Sequence, residues 1–298
     1  MGDASRVLFR SSPTPGGRTG TAVEVSRRRA GWRWVSFAVR RVVPGAPWDD
    51  QTNGEECCLV LLAGTCRVEF AGTTVELGPR RDVFSSYPHA LYLPPRTRFR
   101  VTADEPTELA DGRAPVRRGD GTALEPRLIR PADCGFEIRG GGNATRQIVD
   151  IIRPDFPASR LLVCEVFTPG GNWSSYPPHK HDTDRPPSEV ELEEIYYYRF
   201  AEPDAYGFQR LYDERRDRTV LARHGDVVLI RRGYHPFVTA YGYNAYYLNV
   251  LAGTRRSMAA SDDPRYASFR AWPEPDVRVP LVPRPVAQRL GNIDSRRS

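Results

Sequence analysis

Residues 179–181 read His-Lys-His, directly after Pro177-Pro178, in a chain of 298 residues with only five histidines. In an extended segment the side chains at i and i+2 share a face. Both imidazoles then reach one ion, while Lys180 points away as a spacer. Pro177 and Pro178 stiffen the approach. A third imidazole, His235, follows the strand-like Asp226–Ile230 in a Gly233-Tyr-His-Pro turn. The acids in between are Asp182, Asp184, Glu189, Glu191, Glu193 and Glu194. Asp182 points away from His181 in a continuing strand, and Asp184–Ser188 reads as a loop around Pro186-Pro187. Glu194 leads into Tyr196 and Tyr198 on one face by the period of two, whereas Glu193 falls opposite, with Ile195 and Tyr197. Glu194 is therefore the favoured carboxylate. His179, His181, Glu194 and His235 form a donor set suited to one divalent ion of the Zn, Mn, Fe or Ni kind, with positions left for substrate oxygens.

The elements that position this set are short and β-like. Twenty-seven prolines and 25 glycines interrupt the chain, leaving little room for long helices. Runs rich in Val, Tyr, Phe and Leu at 34–39, 57–62, 65–70, 90–93, 161–167, 195–200, 208–212, 226–230 and 245–251 read as strands of a sandwich or barrel. Short helical pieces are expected near 143–152 and 264–267.

The order of signals repeats. Glu55-Glu56, a strand, a hairpin-like stretch, Asp82-Val83 and His89 stand in the first half. Glu193-Glu194, a strand, a hairpin-like stretch, Asp226-Val227 and His235 stand in the second. The division falls at the glycine-rich 139–143 stretch, giving halves 1–140 and 141–298. His89 has no His-x-His companion, so the metal belongs to the second half. The tails, about 1–20 and 285–298, are polar and read as mobile.

Composition narrows the function class. Forty per cent hydrophobic and 27% charged residues describe a globular chain able to bury its own core. No apolar run is long enough for a membrane span, and the first residues do not form a secretion signal, so a cytoplasmic enzyme is expected. Cys57, Cys58, Cys66, Cys134 and Cys164 are odd in number and lack CxxC spacing, which argues against a disulfide framework or a thiolate zinc site. The net charge of +6 comes from arginines scattered among 37 acids, which fits a small anionic substrate better than nucleic acid.

The order His-x-His, Glu, then Gly-x-His resembles the cupin superfamily. Arg231 stands where that pattern has proline, and twelve residues separate His181 from Glu194 where three or four are usual. A narrower match is carried by Gly171-Asn-Trp-Ser-Ser-Tyr-Pro-Pro-His-Lys-His-Asp182, Leu192-Glu-Glu-Ile-Tyr-Tyr-Tyr198 and Gly233-Tyr-His-Pro236. It resembles the 5-deoxy-glucuronate isomerase family of myo-inositol catabolism, related to the 4-deoxy-L-threo-5-hexosulose-uronate ketol-isomerases of pectin breakdown.

The resemblance implies a mainly β bicupin, two sandwich or barrel halves with few short helices. It also implies one divalent metal (Zn, Mn or Fe) on His179, His181, Glu194 and His235. The implied reaction converts the aldose 5-deoxy-D-glucuronate to the ketose 2-deoxy-5-keto-D-gluconate. The ion stabilises a developing enediolate and a base shuttles a proton between adjacent carbons; a hydride shift is the other route. With the histidines spent on metal, Glu165 is the candidate base, and Tyr196 and Tyr198 are candidate catalytic hydroxyls. Arg146, Arg199 and Arg210, with Tyr234 and Tyr246, are candidates to hold the substrate; Arg231 and Asn249 are nearby candidates of the same kind. His224 reads as a turn residue. Two other readings share the ligand set: an Fe-dependent cupin dioxygenase and a non-catalytic sugar-binding cupin. Cupins associate through sheet edges, so a homo-oligomer is an expectation by analogy.

Overall fold

The computed structural model describes residues 7–12, 17–117, 119 and 123–285. Two β-barrel halves pack against each other through one shared core. In the first half, Glu55–Phe70 is a sixteen-residue strand that crosses from one wall of the barrel to the other. Its leading part pairs with Ala90–Leu93 and Thr107–Pro115, and its trailing part with Thr73–Arg80 and Arg98–Ala103. It bends at register shifts between Leu61 and Ala63 and between Gly64 and Cys66, as bulged strands do. The two separate strands expected at 57–62 and 65–70 are thus one.

The second half has a seven-stranded wall. Its order is Leu8–Phe9, Val227–Ile230, Leu192–Phe200, Ala245–Gly253, Leu162–Thr168, Arg146–Ile152 and Gly135–Arg139. A four-stranded wall faces it: Trp173–Ser174, Phe237–Thr239, Tyr206–Tyr212 and Asp217–Arg223. His179–Lys180 pairs with Ser261–Asp262 at the rim.

Side-chain alternation along Leu192–Phe200 assigns each residue to one of two interiors. Tyr196, Tyr198 and Phe200 point into the second barrel, with Val166, Val228 and Tyr247. Ile195 and Tyr197 point into the core between the halves, with Phe37, Val60 and Val250. Strands buried on both faces lose the polar alternation that marks a half-exposed strand, which is why the runs here read as continuously apolar.

Several expectations change. Arg146–Ile152 is a strand, where a helical piece was expected. A short helical piece was expected near 264–267; the structure has a 3-10 turn at Ala267–Arg270, three residues later. The only α-helix among the described residues, Arg27–Ala30, is capped by Ser26. The wall boundary does not fall at 140: Gly135–Arg139 already belongs to the second barrel's wall. Leu8–Phe9, placed in a mobile tail, pairs with Val227-Val228 and closes that wall's far edge. The rest of the tail regions, residues 1–6, 13–16 and 286–298, lie outside the described residues. Among the described residues, no helix is long and apolar enough to cross a membrane.

The repeat is real in the pairing register but is offset by one residue. Cys57 pairs with Leu93 and Arg113, as Glu194 pairs with Ile230 and Leu251. Cys57 is therefore the counterpart of Glu194, and Glu56 of Glu193. His89, four residues before Leu93, matches Asp226 and not His235.

Candidate metal centre

His181, Glu194 and His235 are buried, and one donor atom of each lies within 4.8 Å of the others. His181 Nε2 is 2.8 Å and His235 Nε2 3.4 Å from the same oxygen, Glu194 Oε2. The His179 ring stands beside them, its centroid 4.7 Å from that of His235 and 6.4 Å from that of His181. His179 is thus set back from the tight trio.

The twelve-residue gap before Glu194 is closed locally. Leu192 N donates to His181 O at 2.9 Å, and His181 Nδ1 contacts Leu192 O at 3.1 Å. The intervening loop folds around Lys180, whose ammonium donates to Asp182, Thr183 and Glu189. Asp182 in turn accepts from Gly233 N at 2.8 Å, tying the His-x-His segment to the turn that carries His235. The lysine leaves the site, as its alternation required, and fixes the loop. Gly233 has φ +79° and a Cβ there would meet Tyr212 O at 2.4 Å, so only glycine serves this turn.

Backbone carbonyls orient all three rings. Nδ1 of His181 faces Leu192 O, Nδ1 of His235 faces Gly233 O at 3.2 Å, and His179 bonds the Pro177 backbone. A carbonyl at one ring nitrogen makes it the N–H and leaves the other a lone pair, the arrangement found behind metal-bound histidines. His235 Nε2 is buried with no hydrogen-bond partner. An orphaned nitrogen aimed at a carboxylate and a second lone pair fits a divalent cation.

Burial, then the neighbouring histidines, drives the His179 pKa down to about 3 and that of His235 well below normal. Both rings are therefore neutral and able to donate electrons. Burial also disfavours a charged His181, but the bond to Glu194 outweighs it and raises this pKa. The Glu194 carboxyl is held high by burial.

Tyrosines line the floor. Tyr196 stacks on Tyr247 with centroids 4.5 Å apart, and its hydroxyl shares a 2.7 Å bond with Ser175. Its ring centroid is 6.0 Å from that of His235. Tyr198 lies one layer deeper. Its hydroxyl donates to Gln209, whose amide donates to the backbone carbonyls of His235 and Pro236. Tyr198 therefore steadies His235 through Gln209 and has no hydroxyl left for substrate. Asn249 is buried on the inner face and donates to Ile195 O.

Arg146 is buried in the same barrel, and its electrostatic neighbours include Tyr247 and Tyr196. Its charge also acts on His179. Nη1 donates to the carbonyls of Ala144 and Tyr176, and among the described residues no carboxylate pairs with it. Burial lowers its pKa to about 10.

Four other candidates lie elsewhere. Glu165 faces the core between the halves, where it accepts two buried hydrogen bonds from Arg80 at 2.8 and 2.9 Å and one from Tyr246 at 2.9 Å. Alternation puts Glu165 and Tyr246 on the wrong side of their strands for the barrel interior, so neither the base nor the tyrosine contact stands. Arg199, also on the outward face, pairs with Glu108 of the first half, Tyr197 and His224. Arg210 is bound to Asp217 and lines an outer aromatic cavity of about 500 Å³ with Trp173, Tyr176 and Phe269.

Tyr234 packs at a tilt against Tyr212, centroids 5.2 Å apart, at the rim near Lys180 and Asp263. Arg231 lies over the Trp32 ring of the first half. A cavity of similar size, about 510 Å³, lies in the first half among Arg40, Asp111 and Arg113, away from the histidines.

Two β-barrels, one of them enclosing a tight His181, Glu194 and His235 cluster with His179 beside it, define a cupin of the two-barrel kind. The model of the KduI/IolB family matches residues 8–269, and the chain belongs to that family. It is 42% identical over 249 residues to the 5-deoxy-glucuronate isomerase of Geobacillus kaustophilus, which covers 82% of this chain and 89% of the relative. It is 35% identical to that of Bacillus subtilis, covering 82% and 90%. Among solved structures, an IolB-like protein from Salmonella typhimurium is similar, with a TM-score of 0.83, 36% identity and coverage of 89% and 99%. An oxalate decarboxylase from Lactobacillus farciminis shares the fold at 12% identity, with a TM-score of 0.63 over 88% and 90%. The Bacillus subtilis oxalate decarboxylase, 14% identical, is described with Mn(II) centres. The chain is an enzyme of the aldose–ketose isomerase class, an intramolecular oxidoreductase.

Proposed function

We propose that the protein converts 5-deoxy-D-glucuronate to 2-deoxy-5-keto-D-gluconate, using one divalent ion held by His181, Glu194 and His235 with His179 beside them. The observation that carries this reading is the meeting, inside one barrel, of a His/Glu cluster with a buried arginine that has no carboxylate. An unpaired buried guanidinium is costly to keep, whereas Arg80 and Arg113, also well buried, each hold an acid. Arg146 has the charge and the geometry to take the carboxylate of a sugar acid. The same substrate then presents its carbonyl end to the cluster.

A divalent ion at the cluster supplies Lewis-acid polarisation of a carbonyl and charge stabilisation of an enediolate. His179 and His235 stay neutral for that task, and Glu194 balances part of the charge. Tyr196 and Tyr247, stacked and anchored by Ser175 and Ser174, wall the pocket against water. Manganese, iron and zinc all accept this mixed nitrogen and oxygen set.

The test follows 5-deoxy-D-glucuronate by NMR with protein as purified, after chelation, and after returning Mn²⁺, Fe²⁺ or Zn²⁺. Aldose signals giving way to ketose signals only with metal present is the expected result. An untouched substrate under every metal, with one ion still bound, refutes the substrate assignment.

A further inference from the structure

The isomerisation needs a group that takes a proton from one carbon and returns it to the next, and Glu165 is not in the barrel. The inner face contains few other candidates. The hydroxyls of Tyr196, Tyr198 and Tyr247 are engaged by Ser175, Gln209 and Ser174, and burial pushes all three phenol pKa values up. Burial likewise raises the Cys164 thiol.

Asp150 is different. It lies on the strand Arg146–Ile152, two residues beyond the inward-facing Ile148, and pairs with the inward-facing Cys164. The layer runs on through Asn249 to Tyr196. The charges of Asp150 and Glu194 both reach the Cys164 thiol. A register shift directly after Asp150 bends the strand there, a common device for aiming a side chain into a site. Across the ladder stands Gly135, where a Cβ would come within 3.0 Å of Asp150 Cβ and 3.2 Å of its Oδ2. Glycine leaves the carboxylate uncovered.

The two neighbouring arginines spend their hydrogen bonds on other acids. Arg139 is taken by Glu137 through two bonds of 2.8 and 2.6 Å, and Arg153 by Asp155 through two of 3.1 and 3.2 Å. Asp150 itself is half-buried and, among the described residues, has no hydrogen-bond or ion-pair partner.

We propose that Asp150 is the catalytic residue that carries the proton between the two reacting carbons. This rests on the isomerase reading above. The Asp150 carboxylate takes the proton on C2 of the aldose, the C–H pair becomes the C1–C2 double bond of the enediolate, and the carbonyl pair moves onto O1. Asp150 then returns its proton to C1 as O2 becomes the new carbonyl, and the former O2 proton passes to O1. No oxidant or reductant is consumed.

Burial, with Glu137 and Asp155 adding to it and Arg139 and Arg153 opposing it, keeps the Asp150 pKa above the ordinary aspartate value. The thiol of Cys164 faces it from the other neighbouring strand. Activity therefore falls as pH drops through that raised value, because the base becomes protonated.

The test is Asp150→Asn, with Asp150→Glu as a conservative companion. The asparagine variant is expected to lose about 10²–10⁴-fold in kcat, with KM within about threefold, metal content unchanged and the acid limb of the pH profile gone. Asp150→Glu restores part of the rate. In D2O the wild-type product carries deuterium at the carbon that receives the proton. An asparagine variant within about threefold of wild type overturns the proposal, as does complete transfer of a C2 deuterium label to C1 at every pH. Should wild type ignore 5-deoxy-D-glucuronate yet turn over another aldose uronate such as D-glucuronate, the substrate reading fails. The Asp150 comparison is then made on that substrate.

Discussion

Replacing Glu165 by Gln separates a structural carboxylate from a catalytic one. Glu165 and Arg80 are both fully buried and joined by two bonds that cross from one half of the molecule to the other. Arg80 also donates to the carbonyls of Leu61, Val83 and Ser86. Glu165→Gln preserves the shape and removes the charge, leaving a guanidinium sealed in the shared core with carbonyls alone. Losing one member of a buried pair costs about 3–5 kcal/mol. At roughly 2–3 °C per kcal/mol for a chain of this size, the melting temperature should fall by about 6–15 °C.

The double variant Arg80→Met/Glu165→Met should regain at least half of that loss, since no charge is then stranded. At 20 °C, where the folded form dominates, kcat should stay within about threefold of wild type, because Glu165 points away from the histidines. Differential scanning calorimetry and the NMR assay on the same preparations measure both quantities. A melting temperature unchanged in Glu165→Gln, together with a hundredfold loss of kcat, would refute the assignment of faces.

Arg146→Met removes the guanidinium that awaits a carboxylate. A charge-assisted pair inside the barrel contributes about 2–3 kcal/mol, so kcat/KM should drop roughly 30- to 150-fold, mainly through KM; an unchanged KM in steady-state kinetics would remove Arg146 from substrate binding. Acid should loosen the 263–278 stretch. Asp276, bonded to Arg278 and Asn172, and Asp263, bonded to Arg265 and Tyr212, both have pKa values lowered to about 2. Their contribution is complete above the unfolded value of about 4 and is lost as pH falls through 2. Melting temperatures measured between pH 5 and pH 2 should fall less steeply in Asp276→Asn than in wild type.

The cluster itself was legible in the sequence because its residues obey a simple period. His179 and His181 share a face by spacing of two, and Glu194 falls with Tyr196 and Tyr198 by the same rule. The twelve-residue detour between His181 and Glu194 did not obscure this, since Lys180 and Glu189 fold the loop and the backbone bonds at Leu192 return the strand to His181. Face assignment failed for Glu165, Arg199 and Tyr246 for a physical reason. Strands packed between two interiors are apolar on both sides, so a polar residue such as Glu165 gives no sign of which interior it enters. Only a partner distant in sequence, Arg80 at a separation of 85 residues, decides it. Asp150 was hidden the same way: its stretch read as helical, and its freedom depends on Arg139 and Arg153 choosing other acids.

The one-residue offset in the repeat has the same origin and shows what each half is for. Glu193 accepts from the backbone N–H groups of Arg33, Trp34 and Val35, at 2.7, 2.8 and 2.9 Å. Its counterpart Glu56 accepts from Ser159, Arg160 and Leu161. Each carboxylate thus crosses to the other half and caps the entry of the strand opposite, Ser36–Val42 or Leu162–Thr168. The paired acids in the sequence are this reciprocal clamp, repeated because both halves need it. What differs is the next residue inward. In the second half it is Glu194, beside His181 and His235; in the first it is Cys57, against Asp111, which holds Arg113 and Arg40. One barrel closes its interior charges on themselves. The other keeps Glu194 beside His181 and His235 and leaves the buried Arg146 guanidinium bonded to backbone carbonyls, which is why the proposed chemistry is placed there.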